Sequence, residues 1–314
     1  MIHLNEYLIA TGAAILGVLA VIPAEATPTP EQLGNIAYTG IFEHAITLTN
    51  GRWEGEPFVA GGSSRPAVGL IDDFILTGDL NADGNDEAVV LLWESTGGSG
   101  VYTYLAVTAL RDDKPYTLDT ALIGERVQVR AGRIIGNRIE LDVVQQGPGD
   151  AACCPSQTAT HYWVLDASGL HVNPSRITGT LSLADLAGTE WVLNRLDVNE
   201  KLAPQPEITL VFDGDRISGK SACNRYFAGV KEGDELPGDM RISEIGGTRM
   251  ACPDEVMNLE KRYLDALGKV TRYSFMSGKL ALTWRKNGAT GALLFVPRQP
   301  QQPQGVGDQP RQAR

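Results

Sequence analysis

Gly214-Asp215-Arg216-Ile217-Ser218-Gly219-Lys220-Ser221 spells the pattern of a phosphate-binding loop, and how it is read decides the fold class. That chemistry needs the loop to open directly into a helix whose first amides face the phosphates. Here Asp213-Gly214 has the composition of a hairpin turn, and Arg216-Ile217-Ser218 alternates as a strand does. Gly229 interrupts any long amphipathic helix beyond Ser221. An antiparallel hairpin is therefore expected, and nucleotide binding is set aside.

Outward from that hairpin the pattern stays β. Trp191-Val192-Leu193 and Ile208–Phe212 read as strands before it. Leu280–Trp284 and Leu293–Val296 read as strands after it, with a turn at Asn287-Gly288. One helix is expected over Pro253–Leu267. Pro253 suits the first helical position, Asp254 and Glu255 favour the positive end of the dipole, and Gly268 can cap the end. Val256, Leu259, Tyr263 and Leu267 share one face.

Residues 27–175 read as a separate β-rich domain. Its strands are expected at Ala88–Trp93, Tyr102–Leu110, Arg138–Val144 and His161–Leu165, with a hairpin turn at Asp166-Ala167-Ser168-Gly169. A linker is expected near Pro174–Gly179, and the second domain over 183–297. The Gln-, Pro- and Gly-rich stretch 298–314 is expected to be disordered. The fold class expected is mainly β, or α+β.

Composition narrows the function. The 314 residues carry a net charge of −11, which disfavours nucleic acid as a partner. Leu8–Ile22 is an apolar run followed by Ala24-Glu25-Ala26, so residues 1–26 read as a cleaved signal peptide and the protein as periplasmic or secreted. Met1–Tyr7 lacks Lys and Arg. That keeps open an uncleaved anchor through residues 8–22, the only route to a membrane. The four cysteines fit an oxidising compartment.

Residues 183–297 resemble the META domain, the HslJ-like heat-shock protein family. The resemblance rests on Leu186-Ala187-Gly188-Thr189-Glu190-Trp191, on Gly219-Lys220-Ser221-Ala222-Cys223-Asn224-Arg225-Tyr226, and on Thr248-Arg249-Met250-Ala251-Cys252-Pro253 before the helix. Asn224, Arg225, Tyr226, Met250 and Pro253 are its motif residues. It implies a curved antiparallel sheet packed on one helix, and no established enzyme activity. The fit of both motifs, together with export, favours a Cys223–Cys252 disulfide, with two buried free thiols as the alternative. Asn224 is expected to serve a turn or line a pocket.

Asp79-Leu80-Asn81-Ala82-Asp83-Gly84-Asn85-Asp86-Glu87 places side-chain oxygens at alternate positions, as loops that curl around a hard cation do. Val90 stands where an EF-hand would need its last carboxylate, which excludes that motif. The stretch resembles calcium loops of FG-GAP-type β-repeats. Asp79, Asn81, Asp83, Asn85 and Glu87 are therefore candidate ligands for structural calcium. An empty acidic turn is the plainer reading.

Cys153 and Cys154 are adjacent, and can bridge each other or reach further along the chain. A redox role would need a nearby cation to favour the thiolate, and none is close in sequence. His44 and His161 read as β-surface or core residues. The function expected is a non-enzymatic binding or stress-tolerance module of the envelope, whose partner is an envelope or secreted protein or a small ligand. A protein inhibitor is one alternative. Another is an enzyme whose site the sequence hides, for instance one built on Glu190 with Asp213.

Overall fold

The computed structural model describes residues 27–98, 100–197 and 199–298. The expected signal peptide (1–26) and all of the expected tail except Arg298 lie outside them.

The chain begins with a turn of helix α1 (Pro30–Leu33) and two short strands, β1 (Ala37–Tyr38) and β2 (Ile46–Thr47). An antiparallel five-stranded sheet follows in chain order: β3 (Arg52–Glu54), β4 (Ala67–Gly78), β5 (Glu87–Ser95), β6 (Tyr102–Arg111) and β7 (Lys114–Glu125). Against it packs a four-stranded meander of β8 (Gln128–Ile135), β9 (Arg138–Gln145), β10 (Gln157–Asp166) and β11 (Gly169–Thr180). The apolar run in β5 is unbroken because both of its faces are covered. Val89 and Leu91 pack between the sheets with Leu105, Leu141 and Trp163. Val90 and Leu92 pack on the other side, under Leu33, Tyr38, Ile46 and Leu48. Each such side chain contributes roughly 1.5–3 kcal/mol.

Two expectations change here. The sequence did not announce β4, because Asp72-Asp73 breaks its apolar pattern. The pair sits in a bulge, where β4 pairing jumps from Leu70–Leu92 to Ile75–Val90, with Asp73 at φ 62°. The expected linker Pro174–Gly179 is strand, its Ile177 and Gly179 paired with Ala159 and Thr158 of β10. Its polar composition reflects an exposed edge strand.

The remainder builds one curled sheet from β12 (Glu190–Asp197), β13 (Glu200–Lys201), β14 (Thr209–Asp213), β15 (Arg216–Lys220), β16 (Arg225–Glu232), β17 (Met240–Ile242) and β18 (Gly246–Gly247). Helix α2 (Asp254–Leu267) comes next, then β19 (Val270–Met276), β20 (Lys279–Lys286) and β21 (Ala289–Pro297). The hydrogen-bonded order is β17-β16-β15-β14-β12-β21-β20-β19. Its two ends meet where Asp239 bridges Arg272 and Tyr273 N donates to Gly238 O at 2.8 Å, so the sheet closes into a barrel. The phosphate-loop look-alike is the β14–β15 hairpin, with Asp213 paired to Arg216. Tyr263 and Leu267 of α2 join Trp191, Leu210, Phe212 and Phe295 in the barrel core. Pro253 is the N-cap of α2, one residue before the position expected for it.

The barrel docks on the meander along β8 and β19. Phe275 N donates to Gln128 Oε1 at 2.9 Å, and Gly278 N to Val129 O at 2.8 Å. Arg130 pairs with Asp185 at 3.0 Å, and Lys279 with Asp73 at 3.0 Å.

Candidate functional site

The motif residues of the barrel build a lock. Cys223 and Cys252 are bonded, tying the β15–β16 connection to the entry of α2. Glu260 of α2 is buried and accepts from Ser221 Oγ at 2.6 Å, from Asn224 N at 2.8 Å and from Asn224 Nδ2 at 2.9 Å. Asn224 Oδ1 in turn accepts from Thr248 Oγ1 at 2.8 Å and Met250 N at 2.7 Å. Burial alone would raise the Glu260 carboxyl, but the bonds from Ser221, Asn224 and Cys223 N outweigh it and hold the group below its ordinary range. Tyr226 and Tyr263 share a hydrogen bond at 2.7 Å in the core. Arg225 contributes its backbone, donating to Thr248 Oγ1, while the Met250 side chain is exposed. Ser221, Asn224 and Glu260 are thus spent on one another and on backbone. Sequence periodicity did not foresee Glu260, a carboxylate on the apolar face of α2.

The Asp79–Glu87 loop is an internally bonded turn. Glu87 is buried, and accepts from Leu80 N and Asn81 Nδ2, each at 2.8 Å. Asn81 Nδ2 also donates to Asp83 Oδ2 at 3.0 Å, so this amide stands between two carboxylates. Asp83 Oδ1 accepts from Asn85 N, and Asp79 Oδ2 from Gly84 N. Desolvation raises the Glu87 carboxyl, and the charges of Asp83 and Asp79 add to it. Asp79 Oδ1 is buried without a hydrogen-bond partner. Among the described residues no three His, Cys, Asp or Glu side chains converge as metal ligands would.

Several other titratable groups are committed to local structure. Ser168 Oγ, His171 Nε2 and Asp166 Oδ1 cluster on the β10–β11 turn, and the Ser168 bonds help hold Asp166 at about 2. One ring nitrogen contacts both partners, whereas a nucleophilic triad uses both. Glu190 pairs with Arg298, which also holds Glu207 at 2.9 Å; nothing joins Glu190 to Asp213. His161 bonds Gln145 Oε1 at 2.6 Å, and burial lowers its pKa. His44 lies beside Phe42 and Trp53.

The remaining candidate is the cysteine pair. Cys153 and Cys154 are bonded to each other in the β9–β10 connection, which Asp150 pins by accepting from Gly147 N at 2.8 Å and Ser156 N at 2.6 Å. Cys154 is 3% exposed, while Cys153 is open to solvent. Arg272 of β19 donates from Nη1 to Cys154 Sγ at 3.1 Å. Asp239 fixes that guanidinium through Nε at 3.0 Å and Nη2 at 2.9 Å. The cation absent from the neighbouring sequence thus arrives from 118 residues away, and no local pattern could have signalled it.

Beside the cysteines a cleft of about 420 Å³ opens between the sandwich and the barrel. Asp234 and Glu235 of the β16–β17 connection line it, as do Arg241 of β17 and Arg285 of β20. All four are exposed. Neither Arg241 nor Arg285 forms an ion pair among the described residues.

Residues 184–299 match the META domain family model, so a META domain is present in the barrel half. No curated protein matches the chain. A protein from Burkholderia xenovorans solved by NMR is 25% identical, covering 38% of this chain and 87% of its own, with a TM-score of 0.29. A second NMR structure is 19% identical over 37% of this chain and 94% of its own, with a TM-score of 0.30. The β-propeller domain of the Trilobed protease from Pyrococcus furiosus is 11% identical over 80% of this chain and 84% of its own, with a TM-score of 0.19.

Proposed function

We propose that the protein is an exported binding module of the cell envelope, and that it takes a small charged ligand in the cleft between sandwich and barrel. One observation carries this reading. Two guanidiniums, Arg241 and Arg285, stand without carboxylate partners in a cleft that also presents Asp234 and Glu235. Cations and anions in one cavity of about 420 Å³ suit a zwitterion the size of an amino acid or short peptide. Two bonded cysteine pairs support export. The resemblance of the barrel half to the META domain implies no established enzyme activity, which favours a binding role.

The test is a thermal-shift panel of amino acids, di- and tripeptides and simple dicarboxylates on the full chain. Zwitterionic hits that disappear in the R241Q/R285Q variant support the reading. A panel without hits, or hits indifferent to that variant, contradicts it. Turnover of a panel member would favour the enzyme alternative, and inhibition of an envelope enzyme with the cleft vacant would favour the inhibitor.

Calcium remains our proposal for the Asp79–Glu87 loop, in a structural role. Asp79 Oδ1 is buried and unbonded, and burial together with the charges of Asp83 and Asp79 raises the Glu87 carboxyl. A cation would relieve both by displacing the Asn81 amide from between Asp83 and Glu87.

A further inference from the structure

The two sulfurs of the cleft differ in a way that thiol–disulfide exchange requires. A thiolate must reach one sulfur in line and expel the other as a thiolate. Both cysteines line the cleft, but Cys153 is exposed and Cys154 is buried, so Cys153 carries the sulfur that a ligand can reach. Cys154 is buried, and its sulfur accepts from the Arg272 guanidinium at 3.1 Å. A fixed cation at that distance favours the thiolate that departs, and Asp239 keeps it aimed there. The reachable sulfur and the stabilised leaving group are therefore different atoms, in the right order.

We infer that the cleft captures a zwitterionic amino-acid or peptide thiol covalently, as a mixed disulfide on Cys153. The inference rests on the cleft being the ligand site proposed above, and names the class of ligand. The ligand thiol loses its proton to solvent, and its thiolate attacks Cys153 Sγ. The Cys153–Cys154 bond breaks, and Cys154 leaves as a thiolate held by Arg272. A second molecule of the same thiol, attacking the ligand sulfur of the adduct, releases a ligand disulfide. It leaves Cys153 and Cys154 both reduced, the two electrons having come from the two thiols. The ligand carboxylate faces Arg241 and Arg285, and its ammonium faces Asp234 and Glu235. The Cys223–Cys252 bond lies in the barrel lock, where no such cation touches its sulfurs, and it does not take part.

Glutathione is the probe, with 2-mercaptoethanol as an uncharged thiol and S-methylglutathione as a ligand that cannot exchange. Full-length protein is mixed with each, quenched in acid and mapped by mass spectrometry. The expected result is a glutathione adduct on Cys153, with Cys223–Cys252 intact. In R241Q/R285Q, which alters only exposed side chains, the glutathione rate falls tenfold or more while the 2-mercaptoethanol rate is unchanged. In R272Q both thiols slow by a similar factor, and R272K restores most of the rate; unchanged thermal unfolding of each variant guards against misfolding. An adduct on Cys154, no opening of the pair, or equal rate losses for the two thiols in R241Q/R285Q would overturn the inference. S-methylglutathione separates it from the binding proposal. If the analogue binds the cleft but glutathione does not exchange, the covalent step fails and the binding site stands. If the analogue does not bind and exchange ignores Arg241 and Arg285, both fail.

Discussion

Glu260 accepts from Asn224 twice, once from the side-chain amide at 2.9 Å and once from the backbone amide at 2.8 Å. This one carboxylate joins helix α2 to the β15–β16 connection. Asn224 extends the join to Thr248 and Met250. Removing the amide in N224A leaves a buried carboxylate short of a donor and should cost about 3 kcal/mol. Chemical denaturation of wild type and variant checks this; a loss below about 1 kcal/mol would mean the lock is not rigid.

The same contact sets an acid limit. The Glu260 carboxyl lies below its ordinary range despite burial, because its hydrogen bonds outweigh desolvation. A lowered pKa adds stability that is complete above the unfolded value, about 4.3, and is lost as pH falls through the folded value. The stability difference between wild type and E260Q should therefore be constant near neutrality and shrink below about pH 4. A difference that persists unchanged into acid would contradict the assignment.

The Cys223–Cys252 bond closes a separation of 29 residues. In the chain-entropy model its loss in C223A/C252A costs about 3–4 kcal/mol. The lowered denaturant midpoint measures that cost. Peptide mapping without reductant should show both native crosslinks, Cys223–Cys252 and Cys153–Cys154; a swapped pairing would refute the structure at this point.

Calcium should raise the thermal midpoint of the full chain relative to chelator, by relieving the opposed charges of Asp79, Asp83 and Glu87. At one hundred times Kd the gain is roughly 2.7 kcal/mol. D83A should abolish the difference while leaving the chelated midpoint nearly unchanged. No shift at millimolar calcium reduces the loop to a hydrogen-bonded turn.

For export, N-terminal sequencing of material recovered outside the cytoplasm should begin at Thr27. A chain that retains Met1 there would favour the anchor through residues 8–22.

Local chemistry made the barrel legible in sequence. The Asp213-Gly214 and Asn287-Gly288 turns, the capped helix before Gly268 and the alternating strands are each readable from residues that are close neighbours in sequence. Strand β4 was hidden because its bulge holds Asp72-Asp73, and the later half of β11, Pro174–Gly179, reads as a linker because an exposed edge strand needs no apolar alternation. The site was less legible for a simple reason. Arg272 meets Cys154 across 118 residues, through a docking of sandwich on barrel that no spacing rule encodes. Cys153-Cys154 was visible as a pair, and the sequence offered no cation to activate it. The motif residues that stood out most in sequence form a structural lock.

Binding of a small zwitterion in the cleft beside Cys153 and Cys154 is decided by an NMR titration of isotope-labelled full-length protein with S-methylglutathione, in wild type and in R241Q/R285Q. Saturable shifts of the amides of Cys153, Asp234, Glu235, Arg241 and Arg285 are expected in the wild type, and their loss in the variant. Absence of shifts in the wild type, or shifts that map to another surface and survive the double substitution, would contradict it.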